Sequence, residues 1–572
     1  MSALALIGSA QIVVAHPIYV DSNATGAESG LSWTDAFTNL QSALAAARTD
    51  GDVTEIRVAY GVYTPDVGPG FTAGDRAAAF EPAPDVAMLG GYAGVLDEDP
   101  DHRDTSVFTT TLSGAIGKTP EEGSFTVVLI DGVEGVSLDG FVITGGFADI
   151  AMPQDQIVDG PPSEGGGVFI AEASPVFIDC RIVGNHARRG GGVGARDASP
   201  SFTRVRFSEN TAGEGAGLYA EGGDALLTDV RFIGNSADFG AGALLHEASA
   251  AVANTIFTGN TARFRGGAML LLPGGQVDIE AGAFRDNQAE NGGAILNDGA
   301  DVRIVNTVFG ANAAEHSGGA VLHRNGSLKM INCAIAGNQS SFGGAVSARS
   351  GAELINCTIS NNEASQQNGT AFGGGFIGGG LRIFDAGFEL RNTILSGNAA
   401  PVGAQAAIRE SQAVLDVAYS YVEGQSGGVV NSGGAVMFGA GNLIEGPVFA
   451  AALPIGEGAG TSLDNLRLAP GSPGIDAGDS TVVPADVMFD LDGAPRFRDD
   501  PDTPDTGVIG DAPAVVDLGA WEFRGGETSC AWDLTGDGSV GTADLGVLLS
   551  GWGVSFGATD LAGLLNAWGP CP

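Results

Sequence analysis

The sequence predicts a mainly β fold: a right-handed parallel β-helix with coils of ~25 residues, a cap at each end and a small α-helical C-terminal domain. Three observations predict it. First, an asparagine returns at Asn185, Asn210, Asn235, Asn260, Asn287, Asn312, Asn338, Asn362 and Asn398. The steps are 25, 25, 25, 27, 25, 26, 24 and 36 residues, the last one enlarged by an insertion around Glu363–Gly375. Second, a glycine marker keeps phase with it at Gly191-Gly192, Gly215-Ala216-Gly217, Gly240-Ala241-Gly242, Gly266-Gly267, Gly292-Gly293, Gly318-Gly319 and Gly343-Gly344. Third, the residues before each asparagine alternate. Three before it stand Ile182, Phe207, Phe232, Phe257, Phe284, Phe309, Ile335, Ile359 and Leu395, all large and apolar. Five before it stand small residues such as Cys180, Val205 and Thr255, while four and six before it polar ones predominate, among them Arg181, Asn306, Asn332, Asn356 and Asn392. Period-two alternation means strands with one face inward.

In-register stacking of such coils brings neighbours to ~4.8 Å along the axis. An asparagine tolerates the left-handed turn, and its amide can bond the next asparagine in the stack. The glycines fall where a Cβ would not fit.

Taken in order, residues 1–15 carry an apolar run from Ala3 to Val14 and read as a signal peptide, although no Lys or Arg precedes the run. Residues 16–123 read as an N-terminal cap, which covers the open edge of the first coil. Within it Ile18–Asp21, Ile56–Ala59 and Met88–Tyr92 are expected as strands, and Trp33–Ala47 as an amphipathic helix. The stretch Gly114–Thr119 imitates a phosphate loop, but its first glycine is misplaced and Pro120 stands where a helix should begin.

Residues 124–450 form the coils. Phe284-Arg285-Asp286-Asn287 followed by Gly292-Gly293-Ala294-Ile295 resembles the repeats of polymorphic outer-membrane proteins and related right-handed β-helix proteins. The likeness covers about residues 125 to 450 and implies a fold and a surface location. On the outward side, Arg181, Arg206 and Arg231 fall in one column beside Asp179, Arg204 and Asp229. Guanidinium forks suit carboxylates, so this patch is a candidate face for an acidic sugar; a charge-balanced surface is the plainer reading. His246 and His323 are read as equivalent positions three coils apart, too distant to share a metal.

Residues 451–524 are rich in Asp, Pro and Gly and resemble the closing module of surface-anchored β-helix proteins. They are expected to cap the last coil with Ile475, Leu518 and Trp521 buried, and their aspartates could hold further calcium. In residues 525–572, Asp533, Thr535, Asp537, Ser539 and Asp544 place oxygen ligands at loop positions 1, 3, 5, 7 and 12, with Gly538 at the bend. This resembles half of a dockerin. One Ca²⁺ site is expected, because the segment before the second helix, Val554–Ala558, offers no carboxylate. The resemblance implies a cohesin-like or other cell-surface receptor. Cys530 and Cys571 bracket this domain as a possible disulfide, whereas Cys180, Cys333 and Cys357 sit inward and read as packing.

The formal charge of −42, from 68 acidic and 26 basic residues, argues against nucleic acid and anionic membranes as partners. No apolar run long enough to span a bilayer is present after the leader. A secreted or surface-tethered protein that displays, adheres or binds polysaccharide is expected, with no catalytic residue assigned. The alternative is a polysaccharide lyase or glycoside hydrolase acting on an acidic polysaccharide, because this fold hosts pectin-type chemistry.

Overall fold

The computed structural model describes residues 15–149, 160–365, 377–450 and 466–524, together with 539–542, 544, 545, 548, 564, 565 and 568–570. The chain divides into two compact units, Met1–Arg231 and Phe232–Pro572.

In the first unit, parallel pairing begins well before Phe125. His16–Val20 pairs with Val53–Ala59, that strand with Ala87–Tyr92, and that one with Ser137–Asp139. The segment expected as a separate cap therefore supplies rungs of the same ladder. Its helix runs over Leu40–Thr49 rather than from Trp33, because Asn39 caps it by accepting the backbone N–H of Ser42. Further on, four short strands recur per coil, as in Val193–Arg196, Ser201–Thr203, Arg206–Ser208 and Thr211–Glu214, each in parallel register with its counterpart one coil earlier.

The second unit repeats the plan. One column runs through Ala243–His246, Met269–Leu271, Ile295–Val305, Val321–Ile331, Val346–Ala348, Leu381–Ile383 and Ala406–Ile408. A second runs from Ile256–Thr258 to Tyr421–Val422, and a third from Ser236–Phe239 to Glu363–Ala364. The core is a stack of identical side chains: the rings of Phe232, Phe257, Phe284 and Phe309 lie 4.6, 4.8 and 4.9 Å apart and within 8° of parallel. That is the strand spacing expressed in rings, worth ~0.5–1.5 kcal/mol per pair beyond burial.

The asparagines form ladders within each unit. Asn185 donates to Asn210 Oδ1, and Asn235, Asn260, Asn287, Asn312, Asn338 and Asn362 each donate to the next amide oxygen at 2.9 Å, ending on Asn398. They do not adopt the left-handed conformation. Positive φ falls instead one residue earlier, as at Asp286 (56°) and Asn361 (57°), and six residues earlier, as at Asn306 (48°) and Asn332 (51°). The amides point inward, where only other amides and carbonyls can satisfy them. Gly292 has φ +66°, and a Cβ on Gly293 would stand 2.2 Å from the Gly319 carbonyl of the next coil.

The module after residue 465 lies along the flank of the coils from Val305 to Ile394 and is not confined to the last one. Val483, Val487 and Val516 cover Val305, Ile331 and Ile355, Trp521 and Leu466 cover Ala334 and Ala336, and Leu468, Ile475 and Leu518 cover Ile394. Asn332, Asn356 and Asn392, expected to face water, are fully buried beneath it and donate to the carbonyls of Phe489, Asp517 and Asp479. The side-chain N–H groups of these turn asparagines thus find acceptors in this second layer.

Candidate functional site

Arg181 and Arg206 are exposed and paired in register, while Arg231 ends the first unit half-buried. Beside them Arg204 forms a two-pronged ion pair with Asp179 at 2.7 and 2.9 Å. Elsewhere in this unit, the fully buried carboxylate of Glu164 meets Arg189 at 2.8 Å and Arg196 at 2.6 Å, and Arg196 also meets Glu221 at 3.2 Å. Tyr219 donates to Glu221 at 3.0 Å, and burial pushes its phenol up to about 12. Charges in that group are matched and hold strand ends together.

The second unit carries an unmatched group that the sequence reading did not single out. Arg324 lies in the strand Val321–Ile331, while Arg349, Phe384 and Arg409 each follow the last residue of a strand in the same column, so they stack on successive coils. Arg382, between Leu381 and Ile383, turns to the outer side of its strand. There the rings of Phe342 and Phe384 sandwich it at 4.5 and 4.2 Å. Arg349 lies 4.9 Å and Arg409 5.7 Å from the Phe384 ring. Arg382 is only 7% exposed, and its Nε has no hydrogen-bond partner. Burial first, then repulsion from Arg409 and Arg349, lowers it to about 9. Among the described residues no carboxylate pairs with Arg382 or Arg349; Arg409 meets Glu410 at 3.4 Å, and Arg324 shares Asp298 with Arg265 at 3.8 Å.

Guanidinium groups stack well on rings, yet three around one ring repel each other unless an anion joins them. A carboxylate or sulfate would take up the free N–H groups in forked hydrogen bonds, while Phe384, only 7% exposed, serves as the support on which the guanidinium groups stack. The sequence signal was weak. Arg382 sits in an alternating pattern that places it in solvent, and nothing in that pattern foretells the two rings that cover it.

His323 and His246 are not equivalent. His323 is in register with Asn297, Leu271 and Leu245, one residue out of step with His246. A one-residue offset reverses the face, so His323 is fully buried and His246 half-exposed. Cys180, Cys333 and Cys357 are buried free thiols.

In the closing module, single carboxylate oxygens of Asp476, Asp499 and Asp505 lie within 4.8 Å of one another. Asp476 is completely buried, and burial followed by repulsion from Asp517 pushes it up to about 7. Of the C-terminal loop, Asp533, Thr535 and Asp537 lie outside the described residues, as do Cys530, Cys571 and the leader up to residue 14. Ser539 is in a short strand, and the buried Asp544 accepts the Gly541 N–H at 2.7 Å. Of the two expected helices, Leu545–Trp552 and Asp560–Trp568, only Leu545, Leu548, Leu564, Leu565 and Trp568 are among the described residues; the first four are helical and Trp568 is not. Among the described residues no helix is long and apolar enough to cross a membrane.

Residues 191–398 match the family model described as a right handed beta helix region. Among solved structures, the chain is similar to the crystal structure of pectate lyase Pel9A at 13% identity and a TM-score of 0.26, covering 89% of this chain and 96% of that one. It is also similar to the catalytic domain of GH87 alpha-1,3-glucanase in complex with nigerose at 11% identity and a TM-score of 0.20, covering 71% of this chain and 67% of that one. No curated protein sequence matches the chain.

Proposed function

We propose that this is a secreted or surface-held β-helix protein that binds an acidic polysaccharide, uronate-bearing or sulfated, at Arg349, Arg382 and Arg409, which stack around the buried Phe384 ring. The observation that carries the reading is Arg382, a buried cation held between two rings with an unused N–H and no carboxylate partner among the described residues. In a chain of net charge −42 such a local cluster of positive charge selects its ligand by local fit rather than by long-range attraction. The C-terminal domain serves in this reading as the tether, with Ca²⁺ held by Asp533, Thr535, Asp537, Ser539 and Asp544 and a cohesin-like or other surface receptor as partner.

Calorimetric titration of the full chain with oligogalacturonate and with sulfated glycan tests this. Arg349→Ala together with Arg409→Ala should weaken binding at least tenfold, whereas Arg181→Ala with Arg206→Ala should leave it unchanged. No heat with either glycan, or equal binding by the first variant, would end the proposal.

One observation favours a second reading, a polysaccharide lyase. A guanidinium lowered to about 9 is a better base than an ordinary one and could take a proton next to a uronate carboxylate. Release of unsaturated oligosaccharides, lost in Arg382→Lys, would establish that reading over simple binding.

A further inference from the structure

We infer that Asp476, Asp499 and Asp505 form a calcium site that fastens the closing module of the second unit. Asp476 follows Ile475, which is packed on Ile394, and its backbone is left-handed at φ 48°. One of its oxygens accepts the Asp500 N–H at 3.2 Å, and its carbonyl accepts those of Thr506 and Gly507 at 2.9 and 3.1 Å. Those bonds bring the loop Asp499–Asp505 against it. The other oxygen, Oδ1, is buried with no hydrogen-bond partner. It belongs to a side chain with no solvent exposure, in the carboxylate that Asp499 and Asp505 approach.

A buried carboxylate oxygen without a donor is costly, and two more carboxylates brought beside it add repulsion. Burial and like charge together make sense around a cation. The separation suits one: ligands on opposite sides of a Ca²⁺ at 2.3–2.6 Å stand about 4.6–5.2 Å apart, and the three oxygens here lie within 4.8 Å of each other. Asp499 and Asp505 are exposed, so the ion would enter from solvent and keep water in its remaining positions. An all-oxygen set favours a hard divalent ion over a transition metal. Pro501 and Pro504 stiffen the loop, lowering the entropy lost when it closes on the ion. This site is independent of the glycan reading and of the C-terminal loop.

The full chain carrying Asp533→Asn and Asp537→Asn, which disables the C-terminal loop, is titrated with CaCl₂ alone and with MgCl₂ alone. One Ca²⁺ per chain is expected, with a thermal midpoint raised by several degrees. Adding Asp499→Asn and Asp505→Asn, both at exposed positions, should abolish the ion and the shift while leaving the midpoint in chelator unchanged or higher. Asp476→Asn should raise the midpoint in chelator and remove the response to Ca²⁺. Unchanged Ca²⁺ stoichiometry in the Asp499/Asp505 variant would overturn the site, as would the absence of binding at millimolar Ca²⁺ in the starting protein.

Discussion

Asn312 uses every hydrogen-bonding group of its amide: Nδ2 donates to Phe284 and Asn338 at 2.8 and 2.9 Å, and Oδ1 accepts the backbone and side-chain N–H groups of Asn287 at 3.1 and 2.9 Å. Asn312→Ala strands partners on both neighbouring coils at ~1–3 kcal/mol for each buried group. A total loss of roughly 3 kcal/mol is expected in urea unfolding, with faster hydrogen exchange at the Asn287 amide. His323 makes a different kind of demand. Asn297 Nδ2 donates to its Nδ1 at 3.2 Å, so Nε2 carries the proton given to Gly351 O at 3.1 Å. Burial lowers its pKa below 6.5, and a second proton would have to face the Asn297 amide. The unfolded chain then binds the extra proton first, so stability falls as pH drops through about 6.5. His323→Gln should flatten that part of the stability-against-pH curve. The asparagines were legible because a recurring residue in a recurring environment leaves a period. The left-handed positions were misassigned because tolerance of that conformation and suitability for an amide ladder are separate properties of the same residue.

At the scale of elements, the closing module is held by charge as well as by apolar contact. Arg496 is fully buried, 3.0 Å from Glu522, and donates to the carbonyls of Asp517 and Gly519 at 2.9 and 3.0 Å. Arg496→Met would leave Glu522 buried without its cation, a loss of about 3–5 kcal/mol. Chemical denaturation of the full chain should show the module melting before the coils. Sequence composition was enough to mark this module and to name Ile475, Leu518 and Trp521 as its buried residues. Its seat was not legible. A turn asparagine such as Asn356 reads as solvent-facing until a second layer is known to end on it, and the partners are separated by 161 residues, as in Asn356 to Asp517. The helix boundary moved from Trp33 to Leu40 for a local reason, the cap at Asn39, which the apolar periodicity alone does not weigh.

For the molecule as a whole, a charge of −42 opposes the approach of the polyanion proposed as ligand. Salt screens that repulsion over a Debye length that shrinks from ~30 Å at 0.01 M to ~8 Å at 0.15 M, while direct contacts to the buried Arg382 guanidinium are screened far less. The association rate for oligogalacturonate should therefore rise with ionic strength over this range in stopped-flow measurements, the reverse of ordinary steering between opposite charges. Net charge is read directly from composition. The local reversal of sign at Arg349, Arg382 and Arg409 is not, because it depends on which coils lie side by side.

The amide column of the second unit finishes within the chain itself. Asn398 gives its last N–H to Gln405 at 2.8 Å, and Gln405 passes its own to the carboxylate of Glu423 at 2.8 Å. A row of identical amides with a vacant final donor is a template on which another chain's row could grow, as in fibrils. Here a glutamine and a glutamate take up that donor within the chain, so the amide row itself offers no vacant N–H at this end.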